Sequence, residues 1–314
     1  MIELAEIEAA RDRITGAAVR TPLLRLRVDA PADIYLKLEN LQPIGSFKIR
    51  GATNAVLLAP PSDRAAGLVT ASAGNMAQGV AWAARELGVP ATIVVPEHAP
   101  EAKLAAIKRL GGQVRKLPYD DCWNVIVTSR LDGTDGLFVH PVQDPGVMAG
   151  NGTIGLEILE DLPDPDAVVI PYGGGGLTVG IASAVKALRP ETKIFIAEPK
   201  TGAALAAALA AGHPVDVDYR ASFVDGSGSR RVLDTMWPLV APLVDGAVAV
   251  PVPEVAAAVR VLAERARVIA EGAGALALAA ALAGHAGTGK VVCVVSGGNI
   301  NLAKLAEILT GAAG

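Results

Sequence analysis

Short runs of β-branched residues alternate with alanine-rich stretches along most of the chain, and this alternation limits the fold more than any other feature. The strand-like runs are Ile34–Leu38, Thr92–Val95, Ala167–Ile170, Lys193–Ile196 and Val291–Val295. Between them Gln78–Leu87, Glu101–Leu110, Thr178–Leu188 and Val255–Ala270 repeat apolar residues at roughly 3.6-residue spacing. Gly88-Val89-Pro90 and Arg189-Pro190 read as helix stops. Strands alternating with helices predict an α/β fold with a parallel-type sheet covered on both faces. Alanine clusters such as Ala203–Ala211 have helical spacing, and Pro60-Pro61 and Leu162-Pro163-Asp164-Pro165 read as surface turns.

At 314 residues the chain is long enough for one large or two modest units with a sizeable core. Aromatics make up only 4%, so alanine, valine and leucine must fill that core. The formal charge is −4 and the longest basic cluster is Arg230–Arg231, which argues against a nucleic-acid groove or an anionic membrane surface. The N-terminus is acidic where a secretory signal would be basic. Gly272–Gly284, the longest apolar stretch, is too short for a bilayer, which needs about 20 apolar residues. Cys122 and Cys293 lack metal or disulfide spacing, so a cytoplasmic protein is expected. His98, His140, His213 and His285 never pair at zinc-ligand spacing.

Three strand–loop–helix junctions carry chemistry. In the first, Tyr35–Glu39 runs into a Pro/Gly turn, and Ser46 is placed to cap the helix that follows. Lys48 then lies in the first helical turn, where the helix dipole disfavours an ammonium ion and favours the neutral amine that condenses with aldehydes. In the second, Ala71-Ser72-Ala73-Gly74-Asn75 precedes a helix whose N–H groups face the loop, a nest suited to a carboxylate or phosphate. In the third, Gly173-Gly174-Gly175-Gly176-Leu177 follows a buried-type strand and leaves bare amides around an anion. Its spacing matches neither GxGxxG nor a P-loop, which points to a phosphate smaller than a dinucleotide or ATP. A fourth segment, Val294-Val295-Ser296-Gly297-Gly298-Asn299, ends a strand where ligands collect in α/β sheets.

Taken together and in this order, the four segments resemble the fold type II pyridoxal-phosphate enzymes, in the threonine/serine dehydratase and serine racemase branch. The segments are Ser46-Phe47-Lys48-Ile49-Arg50-Gly51-Ala52, Ala71–Asn75, Gly173–Gly176 and Ser296–Asn299. The stretch His140-Pro141 to Ala149-Gly150-Asn151-Gly152-Thr153 fits as well, with Asn151 where glutamine is more usual.

The resemblance implies two open parallel-type sheets covered by helices, as in the tryptophan synthase β chain. It divides the chain into a large cofactor-binding domain of residues 1–50 and 146–314 and a small domain of residues 51–145. It also implies a cytoplasmic homodimer of amino acid metabolism, acting on a small-molecule amino acid. Lys48 would carry pyridoxal 5'-phosphate and serve as general base at the substrate Cα. Phe47 would sit beside the ring, Asn75 would meet its phenolic oxygen and Ser296 its pyridine nitrogen. The amides of Gly173, Gly174, Gly175, Gly176 and Leu177 would hold the phosphate, and Ser72, Ala73, Gly74 and Asn75 the substrate carboxylate. The implied reaction is α,β-elimination from L-threonine or L-serine to 2-oxobutanoate or pyruvate plus ammonia.

Departures from the branch's pattern sharpen this reading. Ala73 replaces the serine that racemases use as a second base, which favours elimination. Met76 replaces a histidine, and Ser222–Trp237 is only loosely similar. Glu198 and Gly202 stand where two ligands of a divalent metal fall, but Ala204 takes the place of the aspartate, so no metal is expected. The chain ends soon after Ser296, so the regulatory domain of biosynthetic threonine dehydratases is not expected. The alternatives are a dehydratase of hydroxyaspartate or phenylserine, a serine racemase, a β-replacement enzyme of the same fold, and a non-catalytic binding protein. Ile49-Arg50 after the lysine speaks against the threonine synthase subtype.

Overall fold

A computed structural model describes residues 1–311. Ten strands form two sheets. The larger comprises β1 (Leu23–Arg25), β2 (Asp33–Leu38), β7 (Ala167–Pro171), β8 (Lys193–Pro199), β9 (Gly246–Val250) and β10 (Lys290–Val295), in the order β1-β2-β10-β7-β8-β9. Only β1 runs antiparallel to its neighbour. The smaller sheet is parallel throughout, in the order β5-β4-β3-β6, with β3 at Leu68–Ala71, β4 at Ala91–Pro96, β5 at Gln113–Leu117 and β6 at Leu137–Phe138. The α/β class with two mostly parallel sheets therefore holds.

The period-two geometry of a strand explains why the central strands read as unbroken apolar runs. In β10, Val292 and Val294 face one core with the helices Pro145–Asp161 and Gly176–Leu188, while Val291, Cys293 and Val295 face the other with Val252–Val261 and Gly272–Leu282. In β7, Val168 and Ile170 take the first side and Ala167 and Val169 the second. The four-stranded sheet is built likewise, with Ile93 and Val95 on one side and Val69, Ala71 and Val94 on the other.

Two sequence expectations change. The helix expected over Val255–Ala270 stops earlier. Val252–Val261 passes into a π-helical turn at Leu262–Ala266, and Arg267 turns left-handed at φ 60°, so the chain leaves the helix before Ala270. Pro60-Pro61 is also more than a turn, because Pro61–Arg64 forms a helical turn with proline at its start, where the missing N–H costs nothing.

The helix that carries Lys48, Lys48–Leu58, is anchored from below by a buried ion network. Arg50 places Nη2 2.8 Å from Glu39 and Nη1 2.7 Å from Glu157, and Lys37 Nζ lies 2.5 Å from Glu157. Thr21 donates to Glu39 at 2.6 Å, and its carbonyl accepts from Lys37 at the same distance. Two cations and two carboxylates balance in charge. Removing one partner of such a buried set leaves an uncompensated charge, at a cost of about 3–5 kcal/mol.

Candidate active site

The site forms where the carboxyl ends of β3, β7 and β10 meet the start of the Lys48–Leu58 helix. A cavity of about 380 Å³ opens there, within the size range of small-ligand pockets. Every residue the resemblance assigns to cofactor or substrate lines it: Phe47, Lys48, Ser72, Ala73, Gly74, Asn75, Gly173, Gly174, Gly175, Gly176, Leu177 and Ser296. Backbone bonds bring the distant segments into register. Phe47 N–H donates to Ser296 O at 3.0 Å, Gly298 N–H donates to Gly45 O at 2.8 Å, and Ser46 pairs with Gly297 in an isolated bridge. Lys48 and Ser296 are thus fixed by the same short ladder although 248 positions separate them in sequence.

Ser46 does not cap the Lys48 helix as expected. The cap position belongs to Phe47 in helical conformation, and buried Ser46 receives the Lys48 N–H only at 3.4 Å. The neutral-amine tendency of Lys48 also has a different main cause. Burial lowers its pKa to about 8, against the opposing pull of the Glu271 charge. Nζ donates to Pro141 O at 3.3 Å and lies 5.0 Å from the centre of the Phe47 ring. Buried His140 shapes that carbonyl's turn, its Nδ1 accepting from Val142 N–H at 3.0 Å and Gln143 N–H at 2.9 Å.

The glycine loop has the features an anion requires. Neither Gly175 nor any other side chain caps the Gly176–Leu188 helix, so its first N–H groups stay open to the cavity. Among the described residues, the N–H groups of Gly173, Gly174 and Gly175 have no protein acceptor. Gly175 sits at φ +98°, and a β-carbon at Gly174 would overlap Val142. The Asn75–Leu87 helix, 13 residues long, likewise starts without a side-chain cap, behind a turn held by Gly74 N–H donating to Ser72 Oγ at 3.2 Å. Two open helix N-termini and one lysine amine of lowered pKa thus face a single cavity. This set fits a phosphorylated aldehyde bearing a ring, with the lysine at one end and a polar strand terminus, Ser296, at the other.

Four further residues that sequence reasoning did not assign also stand here. Glu271 lines the cavity, accepts from Asn75 Nδ2 at 2.7 Å and is pushed up to about 7 by burial. Asn299 donates to Asn75 Oδ1 at 2.8 Å. Lys103, from the smaller sheet's side, reaches Asp225 in the irregular segment after β8 at 2.5 Å, and both line the cavity. Met76 is buried but reaches the cavity wall, and Ser222–Trp237 contributes Asp225, Gly226 and Ser227 to it. Glu198 lies elsewhere. Its buried carboxylate accepts from Leu205 N–H at 3.0 Å and Ala206 N–H at 2.9 Å, and burial raises its pKa to about 7. Among the described residues no three His, Cys, Asp or Glu side chains gather as metal ligands, and no helix is long and apolar enough to cross a membrane.

Fold and site together define an α/β enzyme that presents a lysine amine to a phosphate cup. The chain belongs to the pyridoxal-phosphate dependent enzymes, whose family profile matches residues 14–297. It is 42% identical to the L-threonine ammonia-lyase of Thermotoga maritima over 98% of this chain and 78% of that one. Its fold matches maize serine racemase with a TM-score of 0.90 at 33% identity, covering 99% of this chain and 97% of the other. It also matches the processed form of threonine deaminase isoform 2 from Solanum lycopersicum, with a TM-score of 0.89 at 34% identity and coverage of 99% and 92%. The cofactor is pyridoxal phosphate.

The lowered lysine pKa makes a prediction for loading. As the proposed attachment point of the cofactor, Lys48 reacts with the aldehyde only when neutral, so cofactor uptake by the apoenzyme should accelerate with rising pH through about 8. An unperturbed lysine would place that midpoint at about 10.4. Stopped-flow absorbance against pH measures it, and a midpoint near the unperturbed value would contradict the burial described here.

Proposed function

We propose that this chain is an ammonia-lyase that converts L-threonine, L-serine or both to 2-oxobutanoate or pyruvate plus ammonia. The observation that carries elimination over racemisation is Ala73 in the cavity wall, a methyl group with no proton to exchange. The kinship supports the same reading, since relatives named threonine ammonia-lyase or putative threonine dehydratase match nearly the whole chain at 39–42% identity.

Each residue's task follows from its placement. The amides of Gly173 to Leu177 hold the phosphate through hydrogen bonds and the positive end of their helix. The loop Ser72, Ala73, Gly74 and Asn75 grips the substrate carboxylate at the second open helix start. Bound pyridoxal phosphate supplies the electron-withdrawing system that acidifies the substrate Cα–H. Lys48 takes that proton at Nζ, with a lowered pKa that keeps part of the population neutral near pH 7. Phe47 packs beside Lys48 Nζ and limits water around it. Ser296 meets the pyridine nitrogen with a hydroxyl instead of a carboxylate and so does not force that nitrogen to stay protonated. The products balance: the β-hydroxyl and the amine leave, one water re-enters, and the 2-oxo acid and ammonia remain.

The division into residues 1–50 with 146–314 and residues 51–145 belongs to this reading, with Lys48 at the boundary and the cavity between the two sheets' strand ends. So do a homodimeric assembly and a cytoplasmic location, the location supported by the free cysteines Cys122 and Cys293.

The test is product partition from L-serine, with pyruvate and D-serine measured together. The wild-type chain should give pyruvate with little D-serine, and Ala73→Ser should raise D-serine formation by about tenfold or more, within the usual worth of a placed proton-transfer group. D-serine formed as fast as pyruvate by the wild-type chain would overturn the elimination reading.

A further inference from the structure

Asn75 is an amide, and an amide can turn either its N–H₂ or its C=O towards a ligand. Its neighbours remove that freedom. Ile44 offers a backbone carbonyl, which only accepts, and Asn299 Nδ2 donates to it at 2.8 Å. The same Nδ2 uses its other hydrogen on Asn75 Oδ1, also at 2.8 Å. With Oδ1 so engaged, Asn75 Nδ2 points the other way and donates to Glu271 Oε1 at 2.7 Å. Turning the amide over would set N–H₂ against N–H₂ at Asn299 and carbonyl against carboxylate at Glu271. The chain of bonds therefore has one direction, and it leaves the second N–H of Asn75 as the unpaired group on a side chain that lines the cavity.

We propose that Asn299 and Glu271 are positioning residues that lock Asn75 as a hydrogen-bond donor to the ring oxygen of bound pyridoxal phosphate. The inference rests on the reading that Asn75 meets that oxygen. A donor there stabilises the phenolate form of the ring over the phenol form. Glu271 acts as an acceptor rather than as a charge. The close approach of Gly297 keeps it in place, since a β-carbon at Gly297 would come within 2.5 Å of Oε1.

The experiment is the absorption spectrum of substrate-free holoenzyme, read as the ratio of phenol-form to phenolate-form bands, with bound cofactor counted per chain. In Asn299→Asp the new carboxylate donates to neither Ile44 nor Asn75, so Asn75 loses the donor that fixes its Oδ1 and no longer holds one direction. The ratio should rise about threefold to tenfold, the worth of one net hydrogen bond. Glu271→Leu should move it the same way, and Glu271→Gln, which keeps a carbonyl acceptor, should restore it to within about twofold of wild type. If Glu271→Leu binds no cofactor, Asn299→Asp and Glu271→Gln decide the matter alone. A wild-type ratio in Asn299→Asp with full cofactor, or a shift in Glu271→Gln as large as in Asn299→Asp, overturns the relay. Failure of the underlying reading looks different, because Asn75→Ala with full cofactor would then also keep the wild-type ratio.

Discussion

Lys48→Ala is expected to retain the fold and to lose turnover by roughly 10³-fold or more. The reason is twofold. In the proposed mechanism Lys48 is the amine that ties the cofactor to the chain, and it is also the group that takes the α-proton. No other cavity residue can replace it: Lys103 is committed to Asp225 at 2.5 Å, and Glu271 to Asn75 at 2.7 Å. Stability should change little, since a buried ammonium is itself unfavourable and Lys48 has no carboxylate in direct contact; Pro141 O, at 3.3 Å, is its hydrogen-bond partner. Thermal unfolding and turnover measured on the same preparation separate the two effects. Turnover within tenfold of wild type would remove Lys48 from the mechanism.

Gly175→Val should strike the phosphate cup with Lys48 untouched. Gly175 sits at φ +98°, where a residue with a side chain is strained by about 1–2 kcal/mol and a β-branched one by more. Its β-carbon would also meet the ring and hydroxyl of Tyr172 and a methyl of Val240 at 3.2 Å, both buried side chains. The loop must shift, and the amides on either side of it lose their common focus. We expect the Kd for pyridoxal phosphate to rise about 100-fold, the sum of strain and one or two lost charge-assisted hydrogen bonds. Pyridoxal without its phosphate is the control. Its weaker binding through Lys48 should change by less than about threefold. Equal losses for both ligands would show that the variant damages the cavity in general rather than the phosphate contacts.

The central strands β7 and β10 of the larger sheet and β4 of the smaller are legible because burial on both faces leaves an unbroken apolar run, as in Val291–Val295 and Ala167–Ile170. β5, at the edge of its sheet, reads Gln-Val-Arg-Lys-Leu and gives no such signal. The Pro145–Asp161 helix was also missed, because its four glycines depress helix propensity. Those glycines have a packing reason. A β-carbon at Gly150 would come within 2.5 Å of Arg50 O, and one at Gly155 within 2.9 Å of Ile181 O, so neighbouring helices pass close only over glycine.

Within the site, most residues that line the cavity lie in compact local motifs and can be picked out by their turns. Glu271 and Asn299 could not, because their meaning arises only across the fold. Glu271 opens a Gly-Ala-rich stretch that reads as plain apolar helix, and Asn299 gains its partners from Ile44 and Asn75, more than 200 positions away. The nearest sequence signal was an isolated carboxylate directly ahead of Gly272-Ala273-Gly274. The lowered pKa of Lys48 was anticipated, but from the helix dipole; its main source is burial, which depends on tertiary packing.

The most direct measurement supplies the holoenzyme with L-threonine and quantifies 2-oxobutanoate and ammonia over time, beside the Lys48→Ala variant. The proposed lyase forms the two products in equal amounts, at a rate the variant loses. Turnover of neither L-threonine nor L-serine by wild-type chain with full cofactor, or equal turnover by the variant, would contradict it.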